Sequence, residues 1–242
     1  MDDALIQSLV ESPSRPDLWV RFIEQAGIRE IAEVGVYRGL LSEELLRRVP
    51  GITRYYLIDP WRHLSDWNKP ANQEDTRFEE IYREAMTRTE HAADRRVVLR
   101  GTTTEVIDQI PDGTLDLAYI DGDHTLRGIA IDLIRVYPKI REGGYIGGDD
   151  LAPSIWQHAT EFEPTLVFPF TVYFAEAVGA PIHALPHRQF LIRKIDGESF
   201  GFTDLVGRYP DTTLRRQMLK GMRRAMRQRR RDRLGTPAAD QA

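Results

Sequence analysis

Four carboxylates and one histidine crowd into two short stretches of this chain, Tyr119-Ile120-Asp121-Gly122-Asp123-His124 and Gly147-Gly148-Asp149-Asp150. Each stretch follows an apolar run and so stands at the end of an expected strand. Like charges gathered in one place are costly unless they are hydrated or neutralised, and a divalent cation neutralises them well. Ligation by oxygen alone favours a hard ion, Mg²⁺ first, with Mn²⁺ or Ca²⁺ as the other choices. His124, three residues beyond Asp121, is close enough to act as a general base with a pKa near neutrality. The bland reading makes the acids solvated loop ends and His124 a cap for the next helix. Convergence of two strand ends weighs against it.

A second group of residues suits a nucleoside. Glu33-Val-Gly35-Val-Tyr37-Arg-Gly39 leads from a strand into a helix, and its glycines let backbone turn tightly beside a ligand. About 20 residues on, Leu57-Ile58-Asp59-Pro60-Trp61 closes the next strand with an acid placed to hold ribose hydroxyls. Trp61 can stack on a purine, although a lone tryptophan more often serves packing. Gly101-Thr102-Thr103-Thr104, after a third strand, allows approach to an adenine edge, and the same threonines are good helix caps.

These residues need a scaffold that brings strand ends together. Helical patterns at Ala4–Val10 and Pro16–Ala26 open the chain, the second stopped by Gly27. Strands are then expected at Ile31–Val36, Arg54–Ile58, Val97–Arg100, Leu115–Ile120 and Tyr145–Gly148. Helices are expected between them at Leu40–Arg48, Phe78–His91, Thr104–Ile110 and Leu126–Ile140, the last stopped by Gly143-Gly144. A helix over Leu166–Ala177 and a hairpin from Pro181–Leu185 and Gln189–Ile195 complete the body. Such alternation implies an α/β fold: a Rossmann-like, doubly wound sheet, mainly parallel, with a C-terminal antiparallel hairpin and helices on both faces. Ligands of such sheets lie beyond the carboxyl ends of the strands. The expected division is an N-terminal helical segment (1–28), a main domain (29–210) and a basic helical tail (211–242).

Composition bounds the remaining choices. Of 242 residues, 41% are hydrophobic and 29% charged, enough apolar side chain for a core. Cysteine is absent, which excludes disulfides, thiolate nucleophiles and Cys-type metal sites. No run approaches a membrane span and no apolar segment follows the acidic Met1-Asp2-Asp3, so a cytoplasmic protein is expected. Charge is uneven: residues 212–242 carry +8 within a net −4, leaving the body strongly acidic. Leu214, Met218, Met222 and Met226 form an apolar stripe on that basic tail, suited to packing on the body or on a dimer mate. Its arginines also suit an anionic partner such as lipid or nucleic acid.

Taken together, Glu33-x-Gly35-x-Tyr37-x-Gly39, Asp59, Ile120-Asp121-Gly122-Asp123-His124 and Gly147-Gly148-Asp149-Asp150 resemble class I S-adenosyl-L-methionine-dependent methyltransferases. Within that superfamily the pattern is most similar to metal-dependent O-methyltransferases, including macrocin-type enzymes that methylate sugar hydroxyls. The likeness runs over residues 29–151. It implies that Gly35, Tyr37 and Gly39 surround the methionine part of S-adenosyl-L-methionine, with Glu33 supporting their loop. Asp59 would hold the ribose, Trp61 would flank the adenine, and Gly101 and Thr103 would edge its pocket. Asp121 would also touch the cofactor. Asp121, Asp149 and Asp150 match metal-binding positions. His124 falls where catechol-type relatives carry a Lys base, and Asp150 where they carry Asn; the sugar-modifying branch has Asp there, which favours a sugar-like acceptor.

The implied chemistry is Mg²⁺-dependent transfer of a methyl group to a hydroxyl of a small molecule, with His124 taking the proton and Asp121 or Asp123 assisting. A phenol or catechol is the nearest alternative acceptor, and a hydroxylase-like or hydrolytic reaction on the same scaffold a third. An RNA- or membrane-binding module using the basic tail is the reading outside enzymes. Arg62–Thr76 and Leu151–Pro164 are expected to wall the acceptor pocket. Relatives and the methionine stripe together point to a homodimer.

Overall fold

The computed structural model describes residues 3–159 and 161–209, with positions 222, 223, 226, 227, 229 and 230 of the C-terminal segment. Two helices open the chain, α1 (Asp3–Val10) and α2 (Arg15–Gln25). Ser14 caps α2 by accepting from the Asp17 N–H, and Pro16 supplies the preset backbone of a first turn. Strands β1 (Glu30–Val34), β2 (Arg54–Asp59), β3 (Arg96–Arg100), β4 (Leu115–Ile120) and β5 (Ile140–Gly148) follow. Between them run α3 (Leu40–Arg48), α4 (Asp75–Arg88), α5 (Thr103–Val106) and α6 (Leu126–Val136). Helix α7 (Val167–Ala177) leads to β6 (Pro181–Leu185), β7 (Gln189–Arg193) and β8 (Gly201–Asp204).

The strands form one sheet in the order β3-β2-β1-β4-β5-β7-β6-β8. The first five are parallel; β7 runs antiparallel to β5 and β6, and β8 is parallel to β6. Successive strand residues point to opposite faces. Ile31, Tyr55, Leu57, Leu117 and Tyr119 therefore pack with α1, α2, α3 and α4. Ala32, Val34, Tyr56, Ile58, Ala118 and Ile120 pack with α5, α6 and α7. The expected doubly wound sheet with helices on both faces is present, and the N-terminal helices share the first of these cores.

Two details differ from expectation. Gly143-Gly144 does not stop a helix: α6 ends at Val136, Pro138 follows in a 3-10 turn, and β5 begins at Ile140. Proline lacks the N–H that would continue the helix. The glycines instead sit in a bulge of β5, where the register jumps from Leu115↔Ile140 to Leu117↔Tyr145 and Gly143 adopts φ +76°. Strand β8 has no counterpart among the expected elements. Four residues at a sheet edge, alternating between exposed and half-buried, are too short for a periodic signal. Leu214 and Met218 of the methionine stripe lie outside the described residues, whereas Met222 and Met226 are exposed.

Candidate functional site

The chain leaves the sheet in opposite directions from β1 and β4, so a crevice opens between their carboxyl ends. A cavity of about 450 Å³ lies there, within the range of small-molecule sites. Its walls come from the segments that follow β1, β2, β3, β4 and β5. Gly35 makes the close approach possible. It has φ +89°, and a Cβ there would stand 2.1 Å from the carbonyl oxygen of Asp121. Only glycine lets the β1 and β4 loops meet.

Asp59 ends β2 under that loop, buried, with Oδ2 accepting from Tyr37 N and Oδ1 from Trp61 N, both at 2.8 Å. Burial pushes its carboxyl up to about 6. The Val36 N–H donates as well, and the carboxylate keeps a lone pair for a ligand hydroxyl. Tyr37 lines the cavity with φ +50°. Glu33, 2% exposed, also reaches the wall and takes hydrogen bonds from Ser42 of α3 and from the Tyr55 hydroxyl. Burial pushes it up to about 7. Gly101 lines the far end, where a Cβ would meet Val106 Cγ1 at 2.5 Å.

Thr103 lines that end too and donates to Asp132 Oδ1 at 2.5 Å, while Thr102 forms a capping box with Glu105 on α5. Asp132 was not anticipated. It sits in the second turn of α6, buried on the cavity wall, and burial pushes it up to about 7. A buried acid on the inner face of an amphipathic helix was the available signal.

Two expected cofactor contacts fall elsewhere. Trp61 is fully buried behind the cavity rather than along it, its indole N–H on the Tyr37 carbonyl and its ring edge-on to Tyr82. Gly39 is also absent from the wall; it has φ +74° at the start of α3, and a Cβ there would stand 3.1 Å from Ala85 Cα of α4. Both serve packing that shapes the loop between β1 and α3.

The acidic end gathers Asp121, His124, Asp149 and Asp150 as expected. His124 Nδ1 donates to Asp150 Oδ2 at 2.8 Å, and Nε2 lies 3.5 Å from Asp121 Oδ1. Nε2 is buried and has no hydrogen-bond partner among the described residues. The two carboxylates outweigh burial and hold the ring up at about 10. Asp123 is otherwise engaged: both its oxygens accept from Thr125, so it shapes the start of α6 rather than assisting a base.

Asp149 is surrounded by donors. Its Oδ1 accepts from Gln189 Nε2 at 2.6 Å and from Asp150 N at 2.7 Å, and its Oδ2 accepts from Arg15 Nη1. The same Nη1 reaches Asp121 Oδ2 at 3.1 Å. Among the described residues no group of three acidic or histidine side chains is spaced to hold a metal ion. The expected Mg²⁺ set of Asp121, Asp149 and Asp150 therefore does not fit a divalent ion as arranged, because a guanidinium stands between two of its members. Arg15 and Gln189 were not anticipated. They lie 106 and 40 residues from Asp121 and Asp149 respectively, a separation no local motif reports.

The expected walls are both in place. Leu64, Trp67, Lys69, Pro70 and Ala71 from the 62–76 connection line the cavity, with His158 from the segment after β5. The two connections are tied together: Asn68 Nδ2 donates to the Glu161 carbonyl at 2.8 Å and Lys69 Nζ to the Glu163 carbonyl at 2.7 Å.

Comparison with known proteins places this geometry. Residues 32–151 match the family model described as a methyltransferase domain. The uncharacterized protein y4gI of Sinorhizobium fredii (strain NBRC 101917 / NGR234) is 26% identical over 155 residues, covering 59% of this chain. The match spans only 16% of that relative's length. An O-methyltransferase from Bacillus cereus, solved in complex with SAH, is 17% identical with a TM-score of 0.55, covering 81% of this chain and 92% of the other. The O-methyltransferase TomG of Streptomyces achromogenes, involved in tomaymycin synthesis and solved with SAM, is 15% identical with a TM-score of 0.54, covering 81% and 91%. Residues 32–151 thus match a methyltransferase domain, and the chain shares the fold of O-methyltransferases solved with SAH and with SAM.

Proposed function

We propose that this chain transfers the methyl group of S-adenosyl-L-methionine to a hydroxyl oxygen of a sugar, polyol or glycosylated metabolite. One observation carries the reading: His124 Nε2 is buried and makes no hydrogen bond among the described residues, with Asp121 Oδ1 3.5 Å away, and His124 lines the cavity that Gly35, Asp59 and Gly101 shape at its other end. The cofactor supplies a methyl group that is already electrophilic, so the protein's task is to align the acceptor oxygen and take its proton. Asp59 offers its free lone pair to a ribose hydroxyl, and the loop at Gly35 passes close beside the methionine portion. Asp150, bonded to Nδ1, fixes the ring and leaves Nε2 for the acceptor hydroxyl. With the ring held near 10, the neutral form grows with pH, and so does turnover through the neutral range. Mg²⁺ has no step in this reading, since the oxygens of Asp149 are already engaged.

Trp67 supports a hydroxyl-rich acceptor. It lines the wall, and its buried indole N–H has no partner among the described residues. The apolar stretch of Leu64, Pro70 and Ala71 favours a phenol as the second choice. A homodimer belongs to the same reading, on the strength of the resemblance and the methionine stripe. An anionic-surface module would rest on the basic tail and leave the cavity unexplained.

The test is transfer of labelled methyl to a panel of sugars, glycosides and phenols. His124→Ala is expected to lower turnover by roughly 10²-fold or more while S-adenosyl-L-homocysteine binding is retained. Turnover near that of the wild type removes His124 as the base. Transfer to phenols but to no sugar or polyol replaces the acceptor class.

A further inference from the structure

Arg15 begins α2, and its place is set by packing far from its own sequence. Leu18, Trp19, Phe22 and Ile23 press α2 onto the sheet. Trp19 lies so close to β5 that a Cβ on Gly147 would stand 2.0 Å from its ring. The first glycine of the Gly147-Gly148 pair thus admits the Trp19 ring, and with it the helix that carries Arg15. Trp19 Nε1 and the Tyr119 hydroxyl both donate to Gln189 Oε1, at 2.8 and 2.9 Å. That leaves the Gln189 amide only one orientation, with its N–H groups toward Asp149 Oδ1 and the His187 carbonyl. The Gln189 N–H and the Asp150 N–H fill Asp149 Oδ1, and the lone pair left on Oδ2 lies beside the Arg15 guanidinium, a poor place for a metal ion.

We propose that Arg15 is the resident cation of this acidic edge. It takes the place of a divalent ion between Asp121 and Asp149 and offers its remaining N–H donors to the acceptor oxygen, so that the chain transfers methyl groups without a metal. Nη1 makes both carboxylate bonds, and Nε and Nη2 make none among the described residues. Arg15 itself lines the cavity and is one-third exposed. A planar cation with five donors suits this double duty, as ammonium does not. The clause about methyl transfer rests on the function proposed above; the assignment of the cation does not.

Thermal unfolding of the full chain in EDTA and in millimolar Mg²⁺ or Mn²⁺ tests the assignment. The wild type is expected to melt at the same temperature in both. Arg15→Met is expected to melt several degrees lower in EDTA, since two carboxylates lose their counter-charge. A divalent ion then enters the vacated place and restores most of the loss, and the rescue disappears in Arg15→Met/Asp149→Asn. A purely packing role for Arg15 gives no ion-specific rescue and overturns the proposal. So does an Asp149-dependent rise of the wild-type melting temperature with Mg²⁺. If Arg15→Met does not fold, Arg15→Lys decides: indifference to the ion supports the proposal, and rescue by it overturns it. Calorimetry with S-adenosyl-L-homocysteine in EDTA separates the two readings. Absence of binding by the folded wild type overturns methyl transfer and leaves the cation assignment intact. Binding that requires Mg²⁺ overturns the cation assignment and leaves methyl transfer intact.

Discussion

Glu33 offers a quantitative test of the cavity floor. Its carboxyl is 2% exposed and both hydrogen bonds it accepts, from Ser42 and Tyr55, fall on Oε2. Glu33→Gln keeps a carbonyl oxygen for those two donors and removes the titration. Burial is the main cause that raises the carboxyl from an ordinary 4.5 to about 7, with Asp121 adding to it and Arg15 opposing. Between those values the native state holds a proton that the unfolded chain has released. Stability contributed by the protonated group is therefore full below about pH 4.5 and lost as pH rises through about 7. A shift of roughly 2.5 pH units at ~1.36 kcal/mol each gives about 3 kcal/mol. Wild type and Glu33→Gln are to be unfolded by urea at intervals from pH 4.5 to pH 8, and the difference in unfolding free energy plotted. Titrations of Asp59 and Asp132 are common to both proteins and cancel. The difference is expected to move by about 3 kcal/mol in favour of Gln and to level off above pH 8. A difference flat to within ~0.5 kcal/mol across that range would refute the argument that Glu33 is held in a dry, acid-raising place.

Two further outcomes follow from the same geometry. Gly35→Ala places a Cβ against the Asp121 carbonyl at a φ of +89°, so it is expected to cost at least ~2 kcal/mol and to abolish cofactor binding. Urea unfolding and calorimetry read both effects, and an unchanged affinity would show that the β1 and β4 loops do not need to meet this closely. Asp59→Ala is expected to weaken S-adenosyl-L-homocysteine by roughly 10²-fold, the scale of lost hydrogen bonds to a carboxylate. Wild-type affinity in a normally folded variant would take Asp59 out of the binding site.

The order of strands and helices was legible because each element carries its own period. Leu115–Ile120 and Leu40–Arg48 agree with the structure residue for residue, since an apolar run and an amphipathic stretch stopped by Pro50-Gly51 are local signals. The residues at the strand ends were legible for a related reason: in a parallel sheet the carboxyl ends share one edge, so Glu33, Asp59, Asp121 and Asp149 had to approach one another. Trp61 and Gly39 show where that reasoning stops. Their neighbours in sequence line the cavity, yet backbone direction at φ +41° and +74° turns them into the packing behind it. Residue type and position say nothing about that turn.

The sheet, its helices and the identity of the acids at its edge can be read from the chain order, because periodicity is written locally. What those acids hold depends on the packing of remote elements. Arg15 reaches Asp121 across 106 residues because Trp19 packs on Gly147, and Gln189 meets Asp149 because β7, running antiparallel to β5, begins where β5 ends. Charge compensation depends on distances of a few ångströms between elements remote in the chain. Those distances are fixed by how the helices and the hairpin pack on the sheet, and no motif in the chain records them.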